Sequence, residues 1–143
     1  MRTDIAIIGS GPAGISAAIT AKARNKSVLL FGGSGISEKI GKAHLIRNYP
    51  GLPEIPGAEL EKAYNRHLAA MGLSITQEQV IAVYDMGDRF TLQTTAGMYE
   101  SETVILATGA VLGKPLVGET EFLGKGVSYC ATCDAFLYKG KTV

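Results

Sequence analysis

The chain has 143 residues, a formal net charge of +1 and two cysteines, and 46% of its residues are hydrophobic. This length suggests about one domain with its own core, and the hydrophobic share excludes a disordered chain. The balanced charge argues against a nucleic-acid partner, and two cysteines are too few for a secreted disulfide scaffold. The sequence has no apolar run near the ~18 residues of a transmembrane helix and no signal-peptide pattern, so we expect no membrane partner.

The first thirty residues predict a βαβ unit. Asp4–Ile8 and Ser27–Phe31 are short apolar runs, typical of buried parallel strands. Between them, Ala13–Arg24 is rich in alanine and predicts a helix that Pro12 opens. A strand, a helix and a strand in this order indicate an α/β fold.

The middle of the chain predicts a long loop, a helix and then a β-rich region. Gly32–Pro56 is rich in glycine and proline, and we expect a functional loop with a short helix near Ser37–Lys42. Gly57–Met71 has apolar residues at helical spacing, with Gly72 as its C-cap. Five short strands are then predicted, at Leu73–Thr76, Gln79–Tyr84, Arg89–Thr94, Met98–Ser101 and Thr103–Leu106.

Residues Gly9–Gly14, with the sequence GSGPAG, fit the phosphate-binding pattern G-x-G-x-x-G. They follow a predicted strand and open a predicted helix, which is the context that this pattern requires. Free N–H groups and the positive end of the helix dipole favour a bound anion there. The alternative is a glycine turn with a purely structural role.

The acidic residue that commonly binds a nucleotide ribose about 20 positions further on is absent. The second strand ends in Phe31 and Gly32, and no carboxylate occurs before Glu38. We therefore expect backbone groups or Ser34 to hold the ribose.

The two cysteines form a C-x-x-C motif, Cys130-Ala131-Thr132-Cys133, with Asp134 directly after it. Such a pair can close a small redox-active disulfide, and a neighbouring carboxyl can move a proton to or from the leaving thiolate. Two alternatives are half of a zinc site and a pair of inert buried thiols. A zinc site needs four ligands, and the two histidines fit no ligand spacing, so we predict no metal.

Taken together, these motifs resemble the N-terminal part of low-molecular-weight thioredoxin reductases. The matching stretches are Ile7–Gly14, Asn48–Gly51, Ile105–Gly109 and Gly126–Asp134. Their order and spacing cover nearly the whole chain, and the last stretch is highly specific.

The resemblance implies a Rossmann-like FAD-binding domain with a β-meander. The cofactor-binding residues that it implies are Gly9, Ser10, Gly11, Pro12, Ala13, Gly14, Phe31, Gly32, Ser34, Asn48, Val80, Ala107, Thr108 and Gly109. Gly9–Gly14 would lie at the pyrophosphate, Asn48 beside the flavin, and Val80 would offer a backbone contact to adenine.

The resemblance also implies an electron path from a donor through FAD to the Cys130–Cys133 disulfide and on to thioredoxin. Cys133 would face the flavin, Cys130 would attack the protein disulfide, and Asp134 would donate the proton. Family members are usually homodimers. A redox-active cysteine pair without a signal peptide further predicts a cytoplasmic location.

Three departures from the family pattern bear on the electron donor. The chain stops at Val143, where the sequence predicts the start of a new strand, so we expect a fragment whose FAD domain and second domain are both truncated. Ala135 replaces the usual glycine, and the loop of residues 37–48 lacks the usual Gly-Gly-Gln. The last two features resemble the branch of anaerobic bacteria that uses ferredoxin, and the choice between NADPH and ferredoxin stays open.

We therefore predict an FAD-binding domain over residues 1–112, followed over residues 113–143 by a connection and the start of the C-x-x-C domain. The predicted activity is that of a flavoprotein disulfide reductase acting on thioredoxin. The alternatives are an inactive fragment, a non-enzymatic nucleotide-binding module whose cysteines are structural or redox-sensing, and a zinc-binding interaction domain.

Overall fold

The computed structural model describes residues 2–110, 113–128 and 135–142. The strands are β1 (Arg2–Ile8), β2 (Val28–Phe31), β3 (Ile75–Thr76), β4 (Val80–Asp85), β5 (Phe90–Thr94) and β6 (Met98–Leu106). The helices are α1 (Pro12–Ala23), α2 (Glu38–Gly41), α3 (Gly57–Ala70) and α4 (Glu119–Phe122), followed by a 3-10 helix, Ala135–Tyr138.

The chain divides into two compact units. The first comprises Met1–His44 and Pro56–Gly109, and the second comprises Leu45–Ile55 and Ala110–Val143. The first unit contains all six strands and the helices α1, α2 and α3. The boundary predicted between residues 112 and 113 stays a prediction.

The six strands form one mixed sheet in the order β3-β2-β1-β6-β5-β4. The pairs β1–β2, β1–β6 and β2–β3 are parallel, whereas β4–β5 and β5–β6 are antiparallel. The parallel part carries the βαβ unit, and the antiparallel part is a meander. The predicted α/β fold with a Rossmann-like sheet and a β-meander is confirmed.

One expectation about the strands is wrong. The segments Met98–Ser101 and Thr103–Leu106 form a single strand, β6, rather than two. The polar residues between them resemble a turn in sequence, but β1 pairs with both sides of Glu102, from Arg2↔Glu100 to Ile8↔Leu106. Because this partner satisfies the backbone groups on both sides, the strand continues through the polar stretch.

The sheet is strongly coiled, because only three residues connect its two edge strands, β3 and β4. Thr76 and Val80 can be at most ~14 Å apart along the chain. Six strands in a flat sheet would instead place the edges ~24 Å apart, since neighbouring strands lie ~4.8 Å from each other. The meander must therefore fold over one face of the parallel strands.

The side chains of the parallel strands divide between the two faces of the sheet. Ala6 and Phe31 form a buried cluster with Leu92 of the meander. Ile7 and Leu30 alternate with them and are also buried. Since side chains alternate along a strand, these two point to the opposite face, where α1 packs on β1 and β2.

Helix α3 follows the predicted pattern closely. Its buried side chains are Leu60, Tyr64 and Leu68, spaced four residues apart on one face. Gly72 has a φ of +64°, and its N–H donates to the carbonyl of Ala69 at 3.0 Å. The N–H of Leu73 donates to the carbonyl of Leu68 at 2.9 Å, which completes a Schellman cap of the kind that Gly72 predicts.

The second unit contains only short elements among its described residues. Ile46 and Ile55 form an antiparallel bridge through hydrogen bonds of 2.8 and 3.0 Å, and Arg47 and Glu54 pair across it at 3.3 Å. The N–H of Leu116 donates to the Glu119 carboxylate at 2.5 Å at the start of α4. None of the helices in the described part of the chain has the length and apolar character needed to span a bilayer.

Candidate functional site

Three chain segments meet where the parallel strands β1, β2 and β6 end. Ile8 pairs in register with both Phe31 and Leu106, so the three strands end at the same edge. The segments that follow are Gly9–Gly14, Gly32–Ser34 and Ala107–Gly109. In open α/β sheets, ligands bind at the carboxyl ends of the strands, so this edge is the candidate site.

At two positions of the first segment, a backbone carbonyl lies so close that only glycine fits. Gly9 has a φ of +119°, and a Cβ there would lie 2.1 Å from the carbonyl oxygen of Ala107. A Cβ at Gly14 would lie 1.8 Å from the carbonyl oxygen of Gly9. Since real Cβ contacts are never this short, helix α1 can begin this close to β1 and β6 only with glycine at both positions.

Ser10 joins the first segment to the loop after β2. Its hydroxyl donates to the carbonyl of Gly35, and its own carbonyl accepts from the N–H of Ser37 at 3.2 Å. A Cβ at Gly32 would lie 2.3 Å from the Ser10 hydroxyl oxygen. The Ser10 side chain therefore fixes the relative position of two loops that border the site.

The N-terminus of α1 offers unused hydrogen-bond donors at this edge. Pro12 has no N–H, and Gly11, the N-cap, has no capping side chain. Among the described residues, the N–H groups of Ala13 and Gly14 have no acceptor, and the first bond is from Ile15 to the carbonyl of Gly11 at 3.0 Å. Because α1 is twelve residues long, these donors and the helix dipole suit an anion such as a phosphate.

A cavity of about 390 Å³ borders the loop after β2, and sequence reasoning did not predict it. It is lined by Ser34, Ile36, Glu38, Gly41, Lys42 and Glu61. Lys42 pairs with Glu38 at 2.6 Å, and this hydrogen bond lowers the pKa of the Glu38 carboxyl. The cavity therefore presents the hydroxyl of Ser34 and the carboxyl groups of Glu38 and Glu61, whose oxygens can accept hydrogen bonds from the hydroxyl groups of a ligand.

A second polar cluster, which sequence reasoning also missed, joins the meander to the end of β2. Glu78 accepts hydrogen bonds from the hydroxyls of Thr94 at 2.6 Å and Tyr99 at 2.7 Å. These bonds, the one from Thr94 above all, lower the pKa of Glu78, and the bond to Glu78 raises the pKa of Tyr99. The Tyr99 ring packs edge-on against Phe31 with centroids 5.2 Å apart. No local motif signals this cluster, because its members are distant in sequence.

The structure brings together the predicted site residues that belong to the first unit. The residues of the first unit that border the same edge of its sheet are Gly9–Gly14, Phe31, Gly32, Ser34 and Ala107–Gly109. Val80 begins β4, and its side chain packs on the Phe31 cluster. Asn48 is exposed and belongs to the second unit. Cys130, Cys133 and Asp134 lie outside the described residues, so their roles stay predictions.

Comparison with known proteins identifies the family. The sequence profile of the pyridine nucleotide-disulphide oxidoreductases matches residues 3–142. The chain belongs to the pyridine nucleotide-disulphide oxidoreductase family. This is an oxidoreductase family, and the resemblance to thioredoxin reductases is confirmed by relatives of that name.

One such relative is the thioredoxin reductase of Mycoplasma genitalium, which is 41% identical over 145 residues. The alignment covers 98% of this chain and 45% of the relative. The chain therefore spans about half the length of the curated relatives that it matches.

Two solved structures in this family are similar to the chain. The ferredoxin-flavin thioredoxin reductase of Clostridium acetobutylicum is 55% identical with a TM-score of 0.76, over 99% of this chain and 50% of the other. The thioredoxin reductase of Streptococcus pyogenes MGAS5005 is 36% identical with a TM-score of 0.82, over 96% of this chain and 45% of the other.

Family membership implies a flavin cofactor, and the candidate site can be tested for its fit to FAD. The donors of Ala13 and Gly14 suit the pyrophosphate, and the glycines at 9 and 14 keep the backbone free of side chains there. The hydroxyl and carboxylates of the 390 Å³ cavity suit sugar hydroxyls. The residues of the first unit therefore fit the group.

Proposed function

We propose that this protein is a flavoprotein disulfide reductase that passes electrons from a donor through FAD to the Cys130–Cys133 disulfide and on to thioredoxin. The observation that supports it most is the convergence of three glycine-bearing segments and the free donors of α1 at one edge of the sheet. Membership in the family and the C-x-x-C motif supply the redox chemistry of the proposal.

In this proposal, residues of the first unit hold the AMP and pyrophosphate parts of FAD. The N–H groups of Ala13 and Gly14 bind the pyrophosphate, and the segment after Phe31 lies along the adenosine. Ser34 and Glu38 line the cavity that would receive sugar hydroxyls. Val80 offers backbone groups to adenine. Asn48 is assigned to the flavin because it matches the family pattern.

FAD, once bound, would supply the redox group that takes electrons from the donor and passes them to the cysteine pair. With the cysteine pair reduced, the thiolate of Cys130 would attack the disulfide of thioredoxin, form a mixed disulfide and expel one thioredoxin thiolate, which would take up the proton from Asp134. Cys133, the cysteine that would face the flavin, would then attack the mixed disulfide at Cys130, which would release the second thioredoxin thiol and close the Cys130–Cys133 disulfide. We place the protein in the cytoplasm, where cysteine pairs are redox-active rather than structural.

Thioredoxin as the substrate is supported by the names of the relatives. Besides the Mycoplasma genitalium protein, the thioredoxin reductase of Peptoclostridium litorale is 39% identical over 145 residues. We extend the usual homodimeric state of the family to the whole protein as part of the same proposal.

For the electron donor, we propose ferredoxin rather than NADPH. Over the aligned residues, the ferredoxin-flavin enzyme of Clostridium acetobutylicum is 55% identical to this chain, against 36% for the Streptococcus pyogenes enzyme. Ala135 and the loop of residues 37–48 point the same way, because they depart from the pattern of the NADPH-dependent branch.

The visible absorption spectrum of the purified chain with FAD, before and after dithiothreitol, tests the proposed reductase. We expect flavin bands that remain after gel filtration, and a long-wavelength shoulder that appears on reduction because the Cys133 thiolate contacts the flavin. Cys133→Ser should keep the bands and lose the shoulder, and Cys130→Ser is the matched control for the other thiol.

If both this chain and the whole protein stay colourless after incubation with FAD, the flavoprotein proposal is overturned. Flavin bands without any thiol-dependent shoulder would favour the non-enzymatic nucleotide-binding module instead. The donor is tested separately, by anaerobic mixing of the FAD-loaded protein with reduced ferredoxin or NADPH. Bleaching by ferredoxin alone supports the proposal, whereas rapid bleaching by NADPH contradicts it.

A further inference from the structure

Glu78 occupies the three-residue connection between the two edge strands of the sheet. Both of its carboxylate oxygens are used, one by the hydroxyl of Thr94 and the other by the hydroxyl of Tyr99. Its own N–H donates to the carbonyl of Thr76 at 2.8 Å. The residue is therefore held at three points, although it belongs to no helix or strand.

The groups that hold Glu78 are themselves fixed. Thr94 is buried, and its hydroxyl oxygen accepts from the N–H of Ala96 at 3.2 Å and of Gly97 at 3.0 Å, in the turn between β5 and β6. Tyr99 packs on Phe31, the last residue of β2 before the loop that borders the candidate site. Glu78 thus connects this turn with the end of β2.

The segment that Glu78 holds leads directly into Val80. The carbonyl of Gln79 accepts from the N–H of Thr95 at 3.0 Å, and the Val80 side chain packs on the Phe31 cluster. The pairing of β4 with β5 is irregular between Val80 and Ala82. Because the ladder is interrupted there, the position of the Val80 backbone also depends on the two residues before it, of which Gln79 pairs with Thr95 and Glu78 binds the hydroxyls of Thr94 and Tyr99.

We propose that Glu78 is a positioning residue for the adenosine part of FAD. Its carboxylate holds the Val80 backbone beside the loop after β2, where that backbone can contact the adenine ring. Glu78 acts through Val80 and does not contact the cofactor. This inference rests on the proposed function, because it assumes that FAD binds at this edge of the sheet.

The test compares the affinities of the unchanged chain and Glu78→Gln for FAD and for FMN, which lacks the adenosine. The amide keeps the size of the side chain but turns one of its two acceptors into a donor that faces a hydroxyl. We expect affinity for FAD to fall about tenfold, in the range for loss of a hydrogen bond to a charged group, with FMN changed less than about twofold. Glu100→Gln is the matched control, because Glu100 pairs with Arg89 in the same sheet.

If Glu78 acted on stability alone, Glu78→Gln would lower the affinities for FAD and FMN equally. Equal losses of affinity for the two flavins would therefore overturn the inference, and so would an unchanged affinity for FAD. If neither chain binds FMN measurably, a tenfold loss of FAD affinity supports the inference only with an unchanged free energy of unfolding of Glu78→Gln, and an equal loss of stability overturns it. Tyr99→Phe removes one donor and should give a smaller loss of the same kind, which covers the case in which Glu78→Gln fails to fold. Failure of both the unchanged chain and the whole protein to bind FAD would instead overturn the proposed function.

Discussion

At the scale of single residues, the backbone near the ends of β1 and β6 leaves no room for a methyl group at position 14. The Cβ of Gly14→Ala would lie 1.8 Å from the carbonyl oxygen of Gly9, which is backbone and cannot rotate away. We expect Gly14→Ala to lower the free energy of unfolding by about 3 kcal/mol and to weaken FAD binding, because α1 must move away from the loop. Urea denaturation and FAD titration measure both effects.

Gly33→Ala is the control for this substitution. A Cβ at Gly33 meets nothing within 4 Å, so we expect a change in the free energy of unfolding within about 0.5 kcal/mol. Equal stability of the Gly14→Ala and Gly33→Ala chains would contradict the close approach of α1 to the loop.

Asp4 makes the stability of the fold depend on pH. Its carboxylate accepts from the hydroxyl of Ser27 at 2.5 Å, from the N–H of Ser27 at 2.7 Å and from Lys26 at 3.2 Å. The hydrogen bond from the Ser27 hydroxyl is the largest cause of a fall in the pKa of Asp4 from 3.8 to about 2. Because this pKa is lowered in the folded chain, the stabilisation is complete above pH 3.8 and is lost as the pH falls towards about 2.

We therefore expect Asp4→Asn to be less stable than the unchanged chain at pH 7, with a difference that shrinks between pH 4 and pH 2. Urea denaturation of both chains over this range measures the difference. A gap in stability that stays constant down to pH 2 would show that the charge of Asp4 contributes nothing.

At the scale of elements, Leu92 of β5 joins the meander to the parallel strands. Its side chain is 0% exposed and belongs to the cluster with Ala6 and Phe31. We expect Leu92→Ala to lower the free energy of unfolding by about 2–5 kcal/mol, the usual effect of a cavity left by a buried leucine. Ile81→Ala on β4 is the control, because Ile81 is 61% exposed and its removal should change stability by less than about 0.5 kcal/mol.

Leu92→Ala should lower the urea concentration at the midpoint of unfolding. The slope of the free energy of unfolding against urea concentration should stay unchanged. Similar midpoints for the two variants would mean that the meander does not pack on the parallel strands.

Elements with a local signal could be predicted from sequence. Three such elements depend only on neighbouring residues and are present in the structure: the strand that ends before Gly9, the helix that begins at Pro12 and the cap at Gly72. The unbroken strand β6 could not be predicted, because its continuity through Glu102 depends on β1, which lies far away in sequence. The coiling of the sheet likewise depends on the order of strands and not on a motif.

The candidate site likewise has one part that the sequence predicts and another part that only the fold reveals. The segment Gly9–Gly14 carries a pattern that signals its role, so it could be found by reading the sequence. The contact from Ser10 to Gly35 and the cluster around Glu78 join residues that the fold alone brings together. They become visible only in three dimensions, because no spacing along the chain encodes them.

At the scale of the whole molecule, β4 is an edge strand with exposed apolar side chains. Ile81 lies on β4 and Met86 follows its last residue, and both side chains are more than half exposed. An edge with free backbone groups and apolar side chains favours pairing between chains. We expect the apparent mass in light scattering to rise with concentration, and Ile81→Lys to suppress the rise. A constant monomer mass for both chains would contradict this expectation.

The central position of β1 has a consequence for synthesis on the ribosome. Its partner on one side, β2, ends at Phe31, but on the other side Ile8 pairs with Leu106, 98 residues later. At ~5–20 residues per second, the ribosome needs roughly 5–20 s to make that second partner. During this time the apolar strand β1 has an open edge, and we expect the nascent chain to be bound by chaperones that hold extended apolar segments.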